Sequence, residues 1–284
     1  MPRGKGIRQS ICGWNPLYGL TPLTLCPDIG RVKGKFASKF FSGLGLVCSL
    51  WAIDARGGPP LLTDDPDTPG PNHWEINVAF TTEYEDHVWE LGTPLLDMNY
   101  GVGDHIQLKY QVPLILLVPE EGGVDAGMGN SLAGVKWRFI DQTNGSWLEV
   151  STYPQVEFIY PSSSVRRVEA DDGDNLLLPI EIEHQFKSVT VYAEGGLVLN
   201  QKRSSEAFYG LAGEYEFSEK FSLMGEFYGG FGRDFQENGL TFNLGFRRAL
   251  TEHVALIGSA GRAISGPKSS APTFQSYLGV QLTF

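Results

Sequence analysis

The sequence predicts an all-β fold: a closed antiparallel transmembrane β-barrel of about twelve strands, of the outer-membrane type. Three observations carry this prediction. Apolar and polar residues alternate along segments of about ten residues, the length of a tilted membrane strand. The links between these segments are long and short in turn. The chain ends on such a segment, "SYLGVQLTF" (276–284), and its last residue is an aromatic.

The composition agrees. The chain has 284 residues, 35 of them Gly, and a mean hydropathy of -0.14, too polar for helical membrane spans. A net charge of -11 argues against a nucleic-acid partner, which would need a basic face. Cys12, Cys26 and Cys48 are the only cysteines, so the body of the chain can hold neither a disulfide framework nor a thiolate-bound zinc.

Residues 1–55 read as an N-terminal extension and secretory signal. Arg31, Lys33, Lys35 and Lys39 precede the apolar run "FFSGLGLVCSLWAI" (40–53). The run is too short to span a bilayer as a helix. The pattern predicts export with cleavage after Ala55. The basic region is long for a signal, and a translation start near Val32 would shorten it. The mature chain would then carry 15 basic and 31 acidic residues, a net charge of -16.

Residues 56–72, "RGGPPLLTDDPDTPGPN", form a Pro/Asp-rich arm with no strand period. Asp64, Asp65 and Asp67 suggest calcium, but they lack the ligand spacing and closing Glu of an EF-hand. They read as a solvated acidic loop.

The barrel is expected over 73–284. Trp74, Ile76, Val78 and Phe80 alternate with Glu75, Asn77, Ala79 and Thr81. The same period runs through 106–116, 135–139, 148–158, 178–183, 240–247 and 274–284, and more weakly near 88–100, 189–199, 207–217, 221–229 and 254–264. Long links at 119–130, 161–175, 200–206, 230–238 and 265–273 alternate with short ones at 101–104, 141–146, 187–188, 218–220 and 250–253. Only the link at Asp86 breaks the rule. Long loops at one end and short turns at the other predict an outer-membrane barrel in a Gram-negative-type envelope. Outer-membrane lipids and lipopolysaccharide are then the surroundings, and closure leaves no open edge. Phe284 would lie in an aromatic girdle at the short-turn rim. Tyr277, Gly279, Leu282 and Phe284 make up a terminal signal similar to the one read by the barrel assembly machinery.

"PPLLTDDPDTPGPNHWEIN" (59–77), "GMGNSLAGVKWRFID" (127–141), "STYPQVEF" (151–158), "LTEHVALIGSAGRAISGP" (250–267) and "YLGVQLTF" (277–284) carry a closer resemblance. Over residues 57–284 the chain resembles the outer-membrane transporter family named for the MetA pathway of phenol degradation. That resemblance implies a barrel and uptake of phenolic or other aromatic compounds. It brings no catalytic residues.

With the apolar face on lipid, the opposite face points inward. Glu75, Glu149, Glu157, Glu181, Glu183, Glu194, Glu214, Glu216 and Glu226 would line the lumen with Lys109, Lys136, Arg138 and Arg247. Such an acidic bias suits a cation-preferring aqueous path. It equally suits an interior braced by Lys/Arg–Glu pairs, since twelve strands lie between filled and open barrels.

Catalytic patterns are absent. His184 falls on the apolar face, and no His-x-Ser, Gly-x-Ser-x-Gly or His-Glu-x-x-His occurs. The acidic run 171–174 reads as a hydrated loop or a cation bridge to lipopolysaccharide. No enzyme activity, cofactor or metal is expected. The sequence predicts passive passage of a small solute. A lipid-modifying enzyme and a non-conducting structural or binding barrel are the alternatives.

Overall fold

The structure, a computed structural model, describes residues 58–159, 173–202, 204–232, 237–266 and 272–284. The expected signal with its cleavage after Ala55, and Asp171 and Asp172 of the acidic run, lie outside the described residues.

Fourteen strand segments form one antiparallel sheet. They are β1 (Trp74–Glu85), β2 (Val88–Val102), β3 (Ile106–Pro119), β4 (Asp125–Met128), β5 (Ser131–Ile140), β6 (Glu149–Thr152) and β7 (Gln155–Phe158). The others are β8 (Asn175–Phe186), β9 (Val189–Asn200), β10 (Glu206–Ser218), β11 (Phe221–Phe231), β12 (Glu237–Ala249), β13 (Val254–Ser265) and β14 (Phe274–Thr283). β4 and β5 both pair with β3 and make one stave. β6 and β7 both lie between β5 and β8 and make the next. The barrel therefore has twelve staves. It closes where β1 pairs with β14, from Glu75↔Thr283 to Tyr84↔Phe274. At the rim of this seam the Trp74 N–H donates to the Phe284 carbonyl (2.7 Å), and the Phe284 N–H returns to Trp74 (3.1 Å).

Two staves differ from the expected ones. β4 lies within the expected loop 119–130; it has no apolar alternation, and its backbone pairs with Leu114–Leu117. The fifth stave breaks at Tyr153-Pro154, because Pro has no N–H for the ladder. The break leaves Tyr153 fully buried.

The outer face is apolar. Val78, Phe80, Leu108, Leu114, Val135, Ile180, Leu211, Leu223, Phe227, Leu244 and Leu278 all stand exposed on it. Such a belt would be a hazard in water and is what hydrocarbon requires. Aromatics gather at both rims, as interfacial girdles do. Trp74 packs on Tyr100, Trp137 on Phe139 and Phe217 on Phe221 at the short-turn rim. Tyr84, Trp89 and Phe274 cluster at the other. Phe284 is exposed at the short-turn rim. His184 packs against Trp147 and Phe186 there.

Candidate functional site: an arm inside the barrel

The stretch before β1 folds back into the barrel through the short-turn mouth. Its five prolines (59, 60, 66, 69 and 71) deny it a strand's hydrogen-bond ladder. Near the mouth, Asn72 N–H donates to the Gly101 carbonyl (2.9 Å) and Gly101 N–H to His73 (2.9 Å). Gly101 lies so close to Gly70 that a Cβ would come within 1.7 Å of the Gly70 carbonyl oxygen. Farther in, Leu61 packs with Tyr192, Ala212 and Met224. Leu61, Leu62, Thr63 and Asp64 are all buried. The expectation of a solvated acidic loop therefore fails for Asp64, which is carried into the lumen by the apolar residues before it. Only Asp67 of the three acids is exposed.

The wall grips the backbone of the arm. Glu226 accepts Leu62 N–H (2.9 and 3.1 Å to its two oxygens), Thr63 N–H (2.7 Å), the Thr63 hydroxyl (2.7 Å) and Asn243 Nδ2 (2.6 Å). Glu194 accepts Asp64 N–H (3.1 Å). The Ser259 hydroxyl donates to the Pro60 carbonyl. At Gly210, a Cβ would lie 2.3 Å from Thr63 Oγ1.

The wall's cations hold the acidic part of the arm. Lys136 Nζ lies 3.0 Å from Asp64 and 3.3 Å from Glu181, and it also donates to the Asp65 carbonyl. It stands 4.8 Å from the centre of the Tyr153 ring. The Ser151 hydroxyl donates to Glu181. Arg138 reaches Asp67 (2.9 Å), Glu149 (3.2 Å), Asp141 (3.8 Å) and the Asp104 carbonyl (3.0 Å). Lys109 pairs with Asp97 at 3.3 Å.

The pairing register explains why these partners are needed. Glu181 stands opposite Glu194, and Glu149 opposite Glu183. Like charges across a strand pair repel. Lys136, Arg138 and the arm amides relieve Glu181, Glu149 and Glu194. Glu183 makes no hydrogen bond or ion pair among the described residues.

The remaining predicted lumen residues are placed as follows. Glu157 is buried and accepts from Asn130 (3.1 Å) and Asn175 (2.7 Å). Glu75, half-buried, accepts from Asn77 (3.2 Å). Arg247 donates to Gln281, and Glu214 is half-buried. Glu216 is exposed beside the β10–β11 turn, opposite buried Ser222. Sequence reasoning missed Asp97, which lies on a strand of weak alternation, and the arm acids. Asp97 shares its alternating face with the predicted Lys109, a pairing that only the β2–β3 register brings together.

The arm fills the middle of the lumen and leaves a small cavity toward the long-loop mouth. The cavity holds about 50 Å³ and is lined by Leu61, Leu95, Ile115, Gln111, Gln275 and Tyr277 among others. That is room for water; an enclosed apolar cavity that takes up benzene measures roughly 150 Å³. On the other side, Leu132, Leu177, Val198 and Phe208 pack inward.

Comparison with solved structures gives the same architecture. An outer membrane channel of Pseudomonas putida F1 matches 78% of this chain and 98% of its own, at 13% identity and a TM-score of 0.60. The KdgM porin matches 74% of this chain and 99% of its own, at 11% identity and a TM-score of 0.52. The NanC porin matches 73% and 98%, at 8% identity and a TM-score of 0.52. No family model and no curated protein matches the chain. At these identities the likeness is one of fold, and the fold is that of the closed outer-membrane β-barrel.

Proposed function

We propose that this barrel is an outer-membrane channel for small solutes, held narrow by its own N-terminal arm. One observation carries the reading: the lumen is filled by a separate segment of chain, held largely through polar contacts, and not by the wall alone. Water can replace hydrogen bonds of this kind when the arm leaves. The interior then exposed would be lined by Glu181, Glu183, Glu194, Glu226, Lys136 and Arg138. Its acidic excess favours cations over anions.

Aromatic compounds are the proposed solutes. The resemblance of residues 57–284 to the phenol-pathway transporter family supports this, as does a cavity whose wall mixes apolar and hydrogen-bonding groups. The cavity is too small for a ring while the arm is in place, so passage of an aromatic requires the arm to shift. The channel reading needs no catalytic group, and the exposed apolar belt fits the outer membrane as its location.

The test is liposome swelling with the full chain and with a variant lacking residues 58–67. The full chain should pass small solutes slowly and the deletion faster, with cation preference in bilayer recordings. A deletion variant that is folded, shown by lower gel mobility after boiling, yet impermeable would refute the channel and favour a structural or binding barrel.

A further inference from the structure

We propose that Glu183 of the wall, together with Asp65 and Asp67 of the arm, forms a binding site for a hard divalent cation, calcium foremost. One carboxylate oxygen from each of the three residues lies within 4.8 Å of those from the other two. They come from two separate parts of the chain, β8 and the arm, which only the folded barrel brings together.

The cluster of acids is not the whole case. Glu183 is itself only 9% exposed. Its carboxylate faces the two arm acids and has neither a hydrogen-bond donor nor a basic side chain among the described residues. It also stands opposite Glu149 across the β6–β8 pair. A buried carboxylate with like charges on two sides is costly unless a cation joins it. The neighbouring protein cations are already shared. Lys136 serves Asp64 and Glu181 as well as the Asp65 carbonyl. Arg138 serves Glu149 and Asp141 as well as Asp67. Neither forms an ion pair with Glu183.

The donor set selects the ion class. All three ligands are carboxylates, and no His or Cys among the described residues joins them. Oxygen-only ligands suit calcium or magnesium and disfavour zinc or copper. Ligands from a Pro-rich arm and a strand are not fixed in an octahedron, and calcium tolerates such irregular geometry better than magnesium does. Bound there, the ion would clamp the arm to the wall. The site stands on this geometry alone and does not depend on the barrel being a channel.

Calorimetric titration with calcium chloride, on the detergent-folded full chain stripped with chelator, reads the site directly. Thermal unfolding in calcium and in chelator provides a second readout. Wild type should bind one ion per chain and unfold at a higher temperature in calcium. Glu183→Gln should lose at least about tenfold in affinity, one of three charged ligands being gone. In chelator the same variant should be no less stable than wild type, because the change removes a repulsion. Asp67→Asn changes an exposed side chain and keeps the test open should Glu183→Gln fail to fold; it should weaken binding in the same direction. No calcium binding by natively folded wild type at millimolar concentration would overturn the proposal. So would calcium affinity unchanged in a folded Glu183→Gln or Asp67→Asn variant.

Discussion

Glu226→Gln should loosen the arm while leaving the barrel closed. The carboxylate has two oxygens and takes four donors: Leu62 N–H, Thr63 N–H, the Thr63 hydroxyl and Asn243 Nδ2. A glutamine keeps one oxygen and puts an NH₂ where the other stood. In either orientation that NH₂ meets an amide donor. The Thr63 hydroxyl can turn and accept; a backbone N–H cannot. One buried amide donor is left without an acceptor, Thr63 N–H in one orientation and Asn243 Nδ2 in the other, where Leu62 N–H keeps the second oxygen at 3.1 Å; the loss is about 1–3 kcal/mol, and the remaining bonds lose their charge assistance. A total of about 2–4 kcal/mol is expected, which raises the open population roughly 30- to 700-fold. A thiol placed at Leu62, which is only 8% exposed, reports that population through its rate of maleimide labelling. Cys12, Cys26 and Cys48 are replaced by Ser, so that the new thiol stands alone. Labelling within about threefold of the Glu226 parent, with both barrels folded, would refute the assignment of Glu226 as the main holder of the arm.

Gly210→Val should raise the same labelling rate, because the new Cβ would meet Thr63 Oγ1 at 2.3 Å; an unchanged rate would show that the arm does not occupy that place. Gly101→Ala should disturb the base of the arm, since its Cβ meets a backbone carbonyl at 1.7 Å that no rotamer change can move; hydrogen exchange at Asn72 and His73 reads the effect. Lys136→Met should lower the denaturant midpoint in detergent by the equivalent of about 3–5 kcal/mol, because it strands buried Asp64 and Glu181. A midpoint equal to wild type would mean that water already serves those carboxylates. Deleting Phe284 removes both rim hydrogen bonds with Trp74 and the terminal aromatic, and should slow assembly in cells; normal outer-membrane levels would argue against a terminal signal.

Much of the barrel is legible in the sequence because a wall strand is set by local alternation. Trp74 to Phe80 and Phe274 to Phe284 announce their faces without reference to any other part of the chain. Where the period weakens, as around Asp97, the inward residue goes unread even though it is fully buried. The break at Tyr153-Pro154 is local too, and Pro154 marks it. The arm is different. "GGPPLLTDDPDTPGPN" looks like exposed linker by every local rule, because nothing in it is periodic. Its burial depends on Glu226 and Glu194, some 130 to 164 residues away. The only local signal is Leu61-Leu62 among prolines, an apolar pair that a solvated loop has no need for.

This difference says what holds the arm and what does not. The wall reads the arm mostly through backbone groups: the amides of Leu62, Thr63 and Asp64 and the carbonyls of Pro60 and Asp65. The Asp64, Asp67 and Thr63 side chains and the packing of Leu61 add to this. A grip on backbone tolerates changes in most arm side chains and fails when a wall carboxylate is lost. The acidic bias of the interior thus has a structural cause that precedes any ionic selectivity. Glu194 and Glu226 act as fixed acceptors for a segment that, being neither strand nor helix, satisfies only some of its own amides. A segment held by acceptors on the far wall can be released without disturbing a single strand pair. The seating of the arm is therefore separable from the integrity of the barrel.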